Sequence, residues 1–459
     1  MSELFRILQI GRKAITAQQS NMNTIGQNIA NVNTRGYSRQ RVNLATSPSV
    51  LRLNNLLGTG VEVANVERIR DRFIDQLLLQ ERPNQARFEF LSDSLHFVEE
   101  IFNEPSDSGL SSLLEDFFSA FDDLAADPES PAARQVVKER GMALASSFNR
   151  VARQLRDLQR ELTQELQTRV DEINQKLEAV ADLNRKIQRL EGDGAQASEL
   201  RDKRDLLLDE LSQLIDIQTS ENDRGIISIA SGGKFLLVET TVERLSLQNE
   251  AGDVSRPGIV LASSGQPLQP SGGQIQGLLD LRDRMIPSYL SQLDELARTL
   301  VQEVNTLHRA GSNPDGQSGF DFFDPDTSGA EDLAVSPAIL DEPGLMASAG
   351  SAATPGDNST ALAIAELRTR PVLQGGTVTL VDYYTSLVSG IGAQTQEAEN
   401  MKENLSLVVR QLEARRESVS GVSLDEEMVN MIAAQNAFNA ATRFVATVDE
   451  MTQAVLNML

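Results

Sequence analysis

Residues 1–32, MSELFRILQIGRKAITAQQSNMNTIGQNIANV, place Leu4, Leu8, Gly11, Ile15, Gln18, Met22, Ile25, Ile29 and Val32 at alternating steps of four and three. This is a proline-free heptad seam, and it predicts one helix that needs a partner along its length. The other end of the chain supplies one. Leu424, Met428, Met431, Gln435, Phe438, Thr442 and Val445 repeat the spacing, and Val448, Met451, Val455 and Met458 continue it after a three-residue skip. Pairing 1–32 with 423–459 satisfies both seams and brings the chain ends together. Leu4, Leu8, Ile15, Met22, Ile25 and Ile29, with Met428, Met431, Phe438, Val445 and Met451, are the candidate packing and subunit-assembly residues; an ordinary intramolecular core is the plainer reading of any one of them. The N-terminal helix also carries Gln9, Gln18, Gln19, Asn21, Asn23, Gln27, Asn28 and Asn31 where Lys and Glu are usual. Bonded amides pack against protein at modest cost, so this helix is expected to be surrounded by protein. A Gln/Asn-rich solvent face is the alternative.

Working inward, a helical pattern resumes near Glu67, with Pro83 expected to kink or split it. Residues 109–126 read as a short amphipathic helix ended by Asp127-Pro128. From Pro131 to Glu191 no internal proline occurs, and a seam from Leu144 through Leu183, Ile187 and Leu190 predicts one helix about 90 Å long. After a helix at 198–214, short β-like runs (226–229, 235–238, 258–261) are separated by turn residues. Helix returns at about 275–309, with Pro287 as a first-turn residue or kink, and again at 359–369 and 380–418. The expected fold is mainly α with a smaller β-rich insertion, an elongated multi-domain rod whose terminal helices pair as a coiled coil. Its parts are a terminal coiled-coil domain with an extended segment (1–66 and 420–459), a helical rod (67–214 and 275–419, with an irregular loop at 311–358) and a β-rich outer domain (215–274).

Composition narrows the function. The 459 residues include no cysteine and no tryptophan, which removes disulfides, thiolate metal sites and cysteine nucleophiles. Lys and Arg number 42 against 66 Asp and Glu, a formal charge of −24. So acidic a surface repels phosphates and anionic headgroups, and neither nucleic acid nor membrane insertion is expected. The ends differ from the middle: residues 1–72 hold ten basic side chains against four acids. No apolar run approaches the roughly 18 residues of a membrane span, and the N-terminus lacks the apolar stretch of a cleaved signal peptide. That pattern alone suggests the cytosol, although export systems that read an uncleaved terminus leave no such mark.

Catalytic chemistry is hard to assemble. His96 and His308 are far apart and are expected on the surface or on helix flanks. Ser231-Gly232-Gly233-Lys234 reads as a turn rather than a phosphate loop, and no GxSxG elbow occurs. The stretch NPDGQSGFDFFDPD (313–326) offers Asp315, Asp321, Asp324 and Asp326 as calcium ligands, but its spacing departs from the helical calcium loop. A turn-rich loop pinned by Phe320, Phe322 and Phe323 is the better reading. Asp425, Glu426 and Glu427 follow Ser423, where acids complement the helix dipole and serine caps the first turn. No enzyme activity, metal or cofactor is expected.

Residues 30–40, ANVNTRGYSRQ, in which Gly36 can take the positive φ that stops a helix, resemble the N-terminal signature of the axial proteins of the bacterial flagellum, the rod, hook and hook-associated proteins. Residues 420–428 (SGVSLDEEM) and 435–438 (QNAF) resemble that family's C-terminal signature. Gly60-Val61-Glu62-Val63, 68–73 (RIRDRF), 200–205 (LRDKRD), 272–279 (GGQIQGLL) and 356–358 (GDN) are similar to motifs of its hook-associated protein 1 branch. The signature positions are Asn31, Asn33, Thr34, Gly36, Tyr37, Gln40, Gly421, Leu424, Asp425, Glu426 and Glu427. The resemblance implies terminal helices packed in the inner wall of a tube, with the rod and β domain outside. It implies export through the flagellum's own type III apparatus without a cleaved signal, and an extracellular, non-enzymatic structural role at the hook–filament junction. Implied partners are further copies in a ring, the hook protein, hook-associated protein 3, and an export chaperone that binds the C-terminal region. A hook or distal rod subunit and an intracellular coiled-coil scaffold are the alternatives.

Overall fold

The computed structural model describes residues 2–52, 55–102, 109–192, 196–250, 253–350 and 356–457. Met458 of the expected seam and residues 351–355 of the expected loop lie outside them. Helix α1 (Ser2–Ala30) leads into strands β1 (Gln40–Thr46), β2 (Val50–Arg52), β3 (Asn55–Leu57) and β4 (Val61–Arg68). β1 and β4 pair antiparallel and lie along α1. The chain then runs outward through α2 (Arg72–Phe102), α3 (Leu110–Ala126), α4 (Pro131–Gly192) and α5 (Ser198–Leu214). Strands β5 (Gln218–Glu221), β6 (Ile227–Ser231), β7 (Lys234–Val238) and β8 (Thr241–Val242) form an antiparallel sheet in sequence order, followed by the hairpin β9 (Leu245–Glu250) and β10 (Asp253–Leu261). The return runs through α6 (Gly273–Leu279), a π-helical turn (Asp280–Met285), α7 (Ile286–Ala310), the short α8 (Pro337–Asp341) and α9 (Ser359–Ala365), then α10 (Leu380–Ser420) and α11 (Leu424–Asn457). Elongated and mainly helical, the fold ends with its first and last helices packed together.

The rod holds together because its helices each bury one apolar row in a common core. On α4, Leu144, Phe148, Val151, Leu155, Leu158, Leu162, Leu166, Val170, Ile173, Leu177 and Val180 are all buried. The row then passes to Asn184 instead of the expected Leu183, and Leu190 is exposed. Asn184 is fully buried because its amide serves the sheet: Nδ2 donates to the carbonyls of Ile227 (2.8 Å) and Glu239 (2.7 Å), and Oδ1 accepts from Arg204 (3.1 Å). Helix α10 returns antiparallel along α2, with Lys402 on Asp93 and Glu413 on Arg82.

Several expectations are corrected by packing. Pro83 neither ends nor splits α2; it is buried inside one continuous helix, with Gly272 so close that a Cβ there would sit 2.9 Å from the proline ring. Contacts with α10 and α6 hold the helix together across the missing N–H. Pro287 stands in the first turn of α7, one of the two places expected for it, directly after the π-helical turn. His308 is buried rather than on the surface, whereas His96 is exposed. Phe322 and Phe323 join Phe117 and Phe121 in an aromatic cluster, with ring centroids 4.9–5.6 Å apart, and pin the loop as anticipated; Phe320 is half-buried. Two of the loop acids are engaged within the protein. Asp321 pairs with Arg309, and Asp324 accepts the Asp326 N–H at 3.0 Å. Among the described residues no three His, Cys, Asp or Glu side chains are grouped to hold a metal ion, and no helix is long and apolar enough to cross a membrane.

Replacing Asn184 with Ala leaves two backbone carbonyls of the sheet segment and a buried guanidinium without this partner. Asn184→Ala is expected to destabilise the protein by about 3 kcal/mol in urea unfolding, with faster amide exchange at Ile227.

Candidate functional site at the joint of the terminal helices and the rod

The chain turns back on itself after α1. Gly36 takes φ +82° and rests against Leu206 of α5. This return brings Tyr37 and Gln40 alongside Asn28, a fully buried amide in the last turns of α1. Asn28 Oδ1 accepts from the Tyr37 hydroxyl (2.8 Å) and the Gln40 N–H (3.0 Å), and its Nδ2 donates to the Gln40 carbonyl (2.9 Å) and to Glu427 Oε2 (3.0 Å). Burial, with Asp202 and Glu427 nearby, pushes the Tyr37 phenol up to about 12, so it remains a donor. Arg39 closes the arrangement by donating to Glu427 Oε1 and Glu426 Oε2, both at 2.8 Å, and its N–H meets the Ser420 carbonyl at 2.9 Å. Glu427 is 2% exposed, and Arg39 and Asn28 supply the hydrogen-bond partners that a buried carboxylate needs. The two terminal signatures thus hold each other directly.

A second layer ties this knot to the rod. Asp202, Asp205 and Asp209 lie on one face of α5 at i, i+3 and i+7. Asp202 accepts from the Ser38 hydroxyl (2.7 Å), the Ser38 N–H (3.2 Å) and Arg68 (2.8 Å). Asp205 accepts from Arg68 (2.8 Å) and Arg70 (2.5 Å), and Asp209 pairs with Arg82 of α2 (2.6 Å) and Arg416 of α10 (2.9 Å). One helix face therefore gathers the signature turn, the end of β4 and the rod helices α2 and α10.

The candidate signature positions divide. Gly36, Tyr37, Gln40, Glu426 and Glu427 build the joint. Thr34 bonds back to Asn31 within the turn, Asn33 is exposed, and Gly421 closes α10 by donating its N–H to the Glu417 carbonyl (2.8 Å). Leu424 and Asp425 face outward in the first turn of α11. Asn28, Arg68, Arg70, Asp202, Asp205 and Asp209 were not among the candidate site residues. The same-face spacing of the three aspartates and the Arg68/Arg70 pair were the available signals.

Helices α1 and α11 run antiparallel. Ile25 is buried, and Leu4, Leu8, Ile15, Met22, Ile29, Met431, Phe438 and Val445 are half-buried. The inward row of α11 is Glu427, Met431, Ala434, Phe438, Ala441, Val445, Val448 and Thr452, an unbroken heptad pattern. It uses Ala434 and Ala441 where the sequence spacing pointed to Gln435 and Thr442. Small residues explain the choice, because close approach is what this pair requires: a Cβ on Gly11 would lie 2.5 Å from Val445 Cγ2. The expected seam is corrected at Met428 and Met451, which are 58% and 54% exposed. They flank the inward row from opposite sides near opposite ends of the helix, and Val429, Ile432, Phe444 and Leu456 are exposed as well. Of the seven amides on α1, only Asn28 is buried within the chain, and Gln9, Gln19, Asn23 and Gln27 are exposed.

Comparison with known proteins follows the same layout. Residues 95–323 match the family described as Flagellar hook-associated protein FlgK helical domain. Residues 8–37 match Flagella basal body rod protein, and residues 416–458 match Flagellar basal body rod FlgEFG protein C-terminal. The chain is 32% identical over 500 residues to Flagellar hook-associated protein 1 of Bacillus subtilis, covering 100% of this chain and 99% of the relative. It is 26% identical over 538 residues to Flagellar hook-associated protein 1 of Escherichia coli, covering 97% and 98%. Its fold is similar to the structure of the flagellar hook junction protein FlgK from Burkholderia pseudomallei, with a TM-score of 0.66 at 16% identity over 76% of this chain and 100% of that one.

Asp205→Asn removes the shared counter-charge of two largely buried arginines. It is expected to cost about 3 kcal/mol, read as a lower urea midpoint and as faster amide exchange at Ser38.

Proposed function

The chain belongs to the flagellar hook-associated protein 1 family, and from that premise we infer that its work is structural: it forms the junction between hook and filament, assembling on the hook and allowing the filament to attach. The observation that carries the physical side of this reading is the outer face of α11. A helix already paired on one side presents Met428, Val429, Ile432, Phe444, Met451 and Leu456 to water on the others. Exposed apolar side chains on several sides of one long helix are what association with further copies requires, at about 25 cal/mol per Å² of apolar area buried. The exposed amides of α1 fit the same picture, being groups that neighbouring protein satisfies without the desolvation cost of charge.

In this reading the terminal pair is the assembling part, the rod sets its distance and angle, and the β-rich segment points outward. Leu4, Leu8, Ile15, Met22, Ile25, Ile29, Met431, Phe438 and Val445 build the pair, while Met428 and Met451 meet neighbours. The partners are other copies in a ring, the hook protein on one side and hook-associated protein 3 on the other, with an export chaperone holding the C-terminal region beforehand. Export through the flagellar type III apparatus fits a chain without cysteine, since no disulfide can form in transit. Before assembly the termini are disordered, because one helix pair buries too little to offset its ordering entropy.

Cells expressing a version truncated after residue 420 are expected, in electron microscopy, to show hooks without filaments and to shed filament protein into the medium. Normal filaments would count against the junction role; missing hooks would favour a hook or rod subunit. Met428→Asp and Ile432→Asp are expected to give the same filament loss while the purified chain keeps its thermal unfolding midpoint.

A further inference from the structure

His308 closes the last turn of α7 and is enclosed by the excursion that begins immediately after it. Both ring nitrogens are committed to backbone groups of opposite polarity. Nδ1 lies 2.7 Å from the Phe320 carbonyl, which only accepts, and Nε2 lies 3.0 Å from the Ala347 N–H, which only donates. One protonation state satisfies both: the neutral ring with its proton on Nδ1. The imidazole packs edge-on against Phe322, with centroids 5.9 Å apart, so no solvent replaces a lost bond.

We propose that His308 is an acid-sensitive clasp that holds the end of the 311–349 excursion around Ala347 against the rod at neutral pH and loosens it when the ring takes up a second proton. A proton on Nε2 would face the Ala347 N–H, donor against donor, inside an apolar enclosure. The charged groups around the ring reinforce the neutral state. From α4, Arg134 reaches into the same segment, donating to the Met346 carbonyl and to Ser348 (2.9 Å), and its charge opposes a second cation. From the excursion, Asp321 favours protonation but is neutralised by Arg309 of α7, and Asp315 acts on Arg134. Segment 346–349 contributes backbone and uncharged side chains without a titratable group.

Burial, opposed by the Phe320 carbonyl and Asp321, pushes the His308 imidazole down to about 4 from its ordinary 6.5. Because the folded value lies below the unfolded one, the clasp is at full strength above pH 6.5 and weakens as pH falls from there toward 4. Several other ties of the excursion do not titrate: the Asn305 amide bonds Phe322 and Phe323, and Ser312 pairs with Ala349. Opening is therefore confined to the His308 contact and its neighbours.

Amide exchange of the full chain, corrected for the intrinsic effect of pH on exchange, tests this at pH 7.5 and 5.0. Opening at Ala347 is expected to rise about 30-fold between them. His308→Gln, whose amide can donate to Phe320 and accept from Ala347 without titrating, is expected to flatten that rise. An equal rise in both proteins would overturn the proposal. A labelled-histidine spectrum of the wild-type chain gives a test independent of the variant: His308 should stay in the neutral Nδ1–H form at pH 7. Titration near 6.5 without any change in Ala347 exchange would refute the clasp.

Discussion

Three aspartates on one face of α5 hold this molecule's two halves in register. Asp202, Asp205 and Asp209 take up Arg68, Arg70, Arg82 and Arg416 together with Ser38, and so anchor the turn after α1, the end of β4, α2 and α10 on a single helix. Elsewhere the rod coheres through a continuous apolar core, where position is decided by shape and volume. At the joint it is decided by pairing rules instead. A buried charge that loses its partner is costly, so the arginines and aspartates tolerate few alternative arrangements.

The inner knot follows the same logic on a smaller scale. Asn28 offers one acceptor and two donor hydrogens, and the signature turn and Glu427 use them from both ends of the chain. This makes the pairing of α1 with α11 a matter of register as well as of apolar contact. The helix seam alone could slide by a heptad; the Asn28–Glu427 bond and the Gly11–Val445 approach fix where it stops. A terminal pair set in one register presents one outer surface, which carries the exposed apolar side chains of α11.

The parts contrast in how completely they satisfy themselves. The rod buries its rows, and the β-rich segment is tied to α4 through Asn184. The terminal helices leave apolar and amide surface open on the side away from each other. A subunit that must join a tube has reason to be built so, self-sufficient in the rod and unfinished at its ends.

Periodicity made most of the architecture legible. The long α4, the β-rich segment, α5 and the return helices all followed from apolar spacing and turn residues, because burial of one face imposes a repeat that survives without knowledge of the partner. Residues 30–40 and 420–428 likewise carry the family's signatures in their residue order alone. What the spacing left open was phase and pairing. α11 is apolar on two sides, so its seam could be read one residue off, and only the clearance demanded by Gly11, Ala434 and Ala441 selected the inner row. Pro83 within a continuous helix, Asn184 in place of Leu183, the burial of His308 and the gathering of distant arginines on α5 were equally out of reach. Each depends on what stands opposite a residue in space. A linear pattern records how often a side chain must be buried, whereas the identity of the group it meets is settled only when the chain has folded.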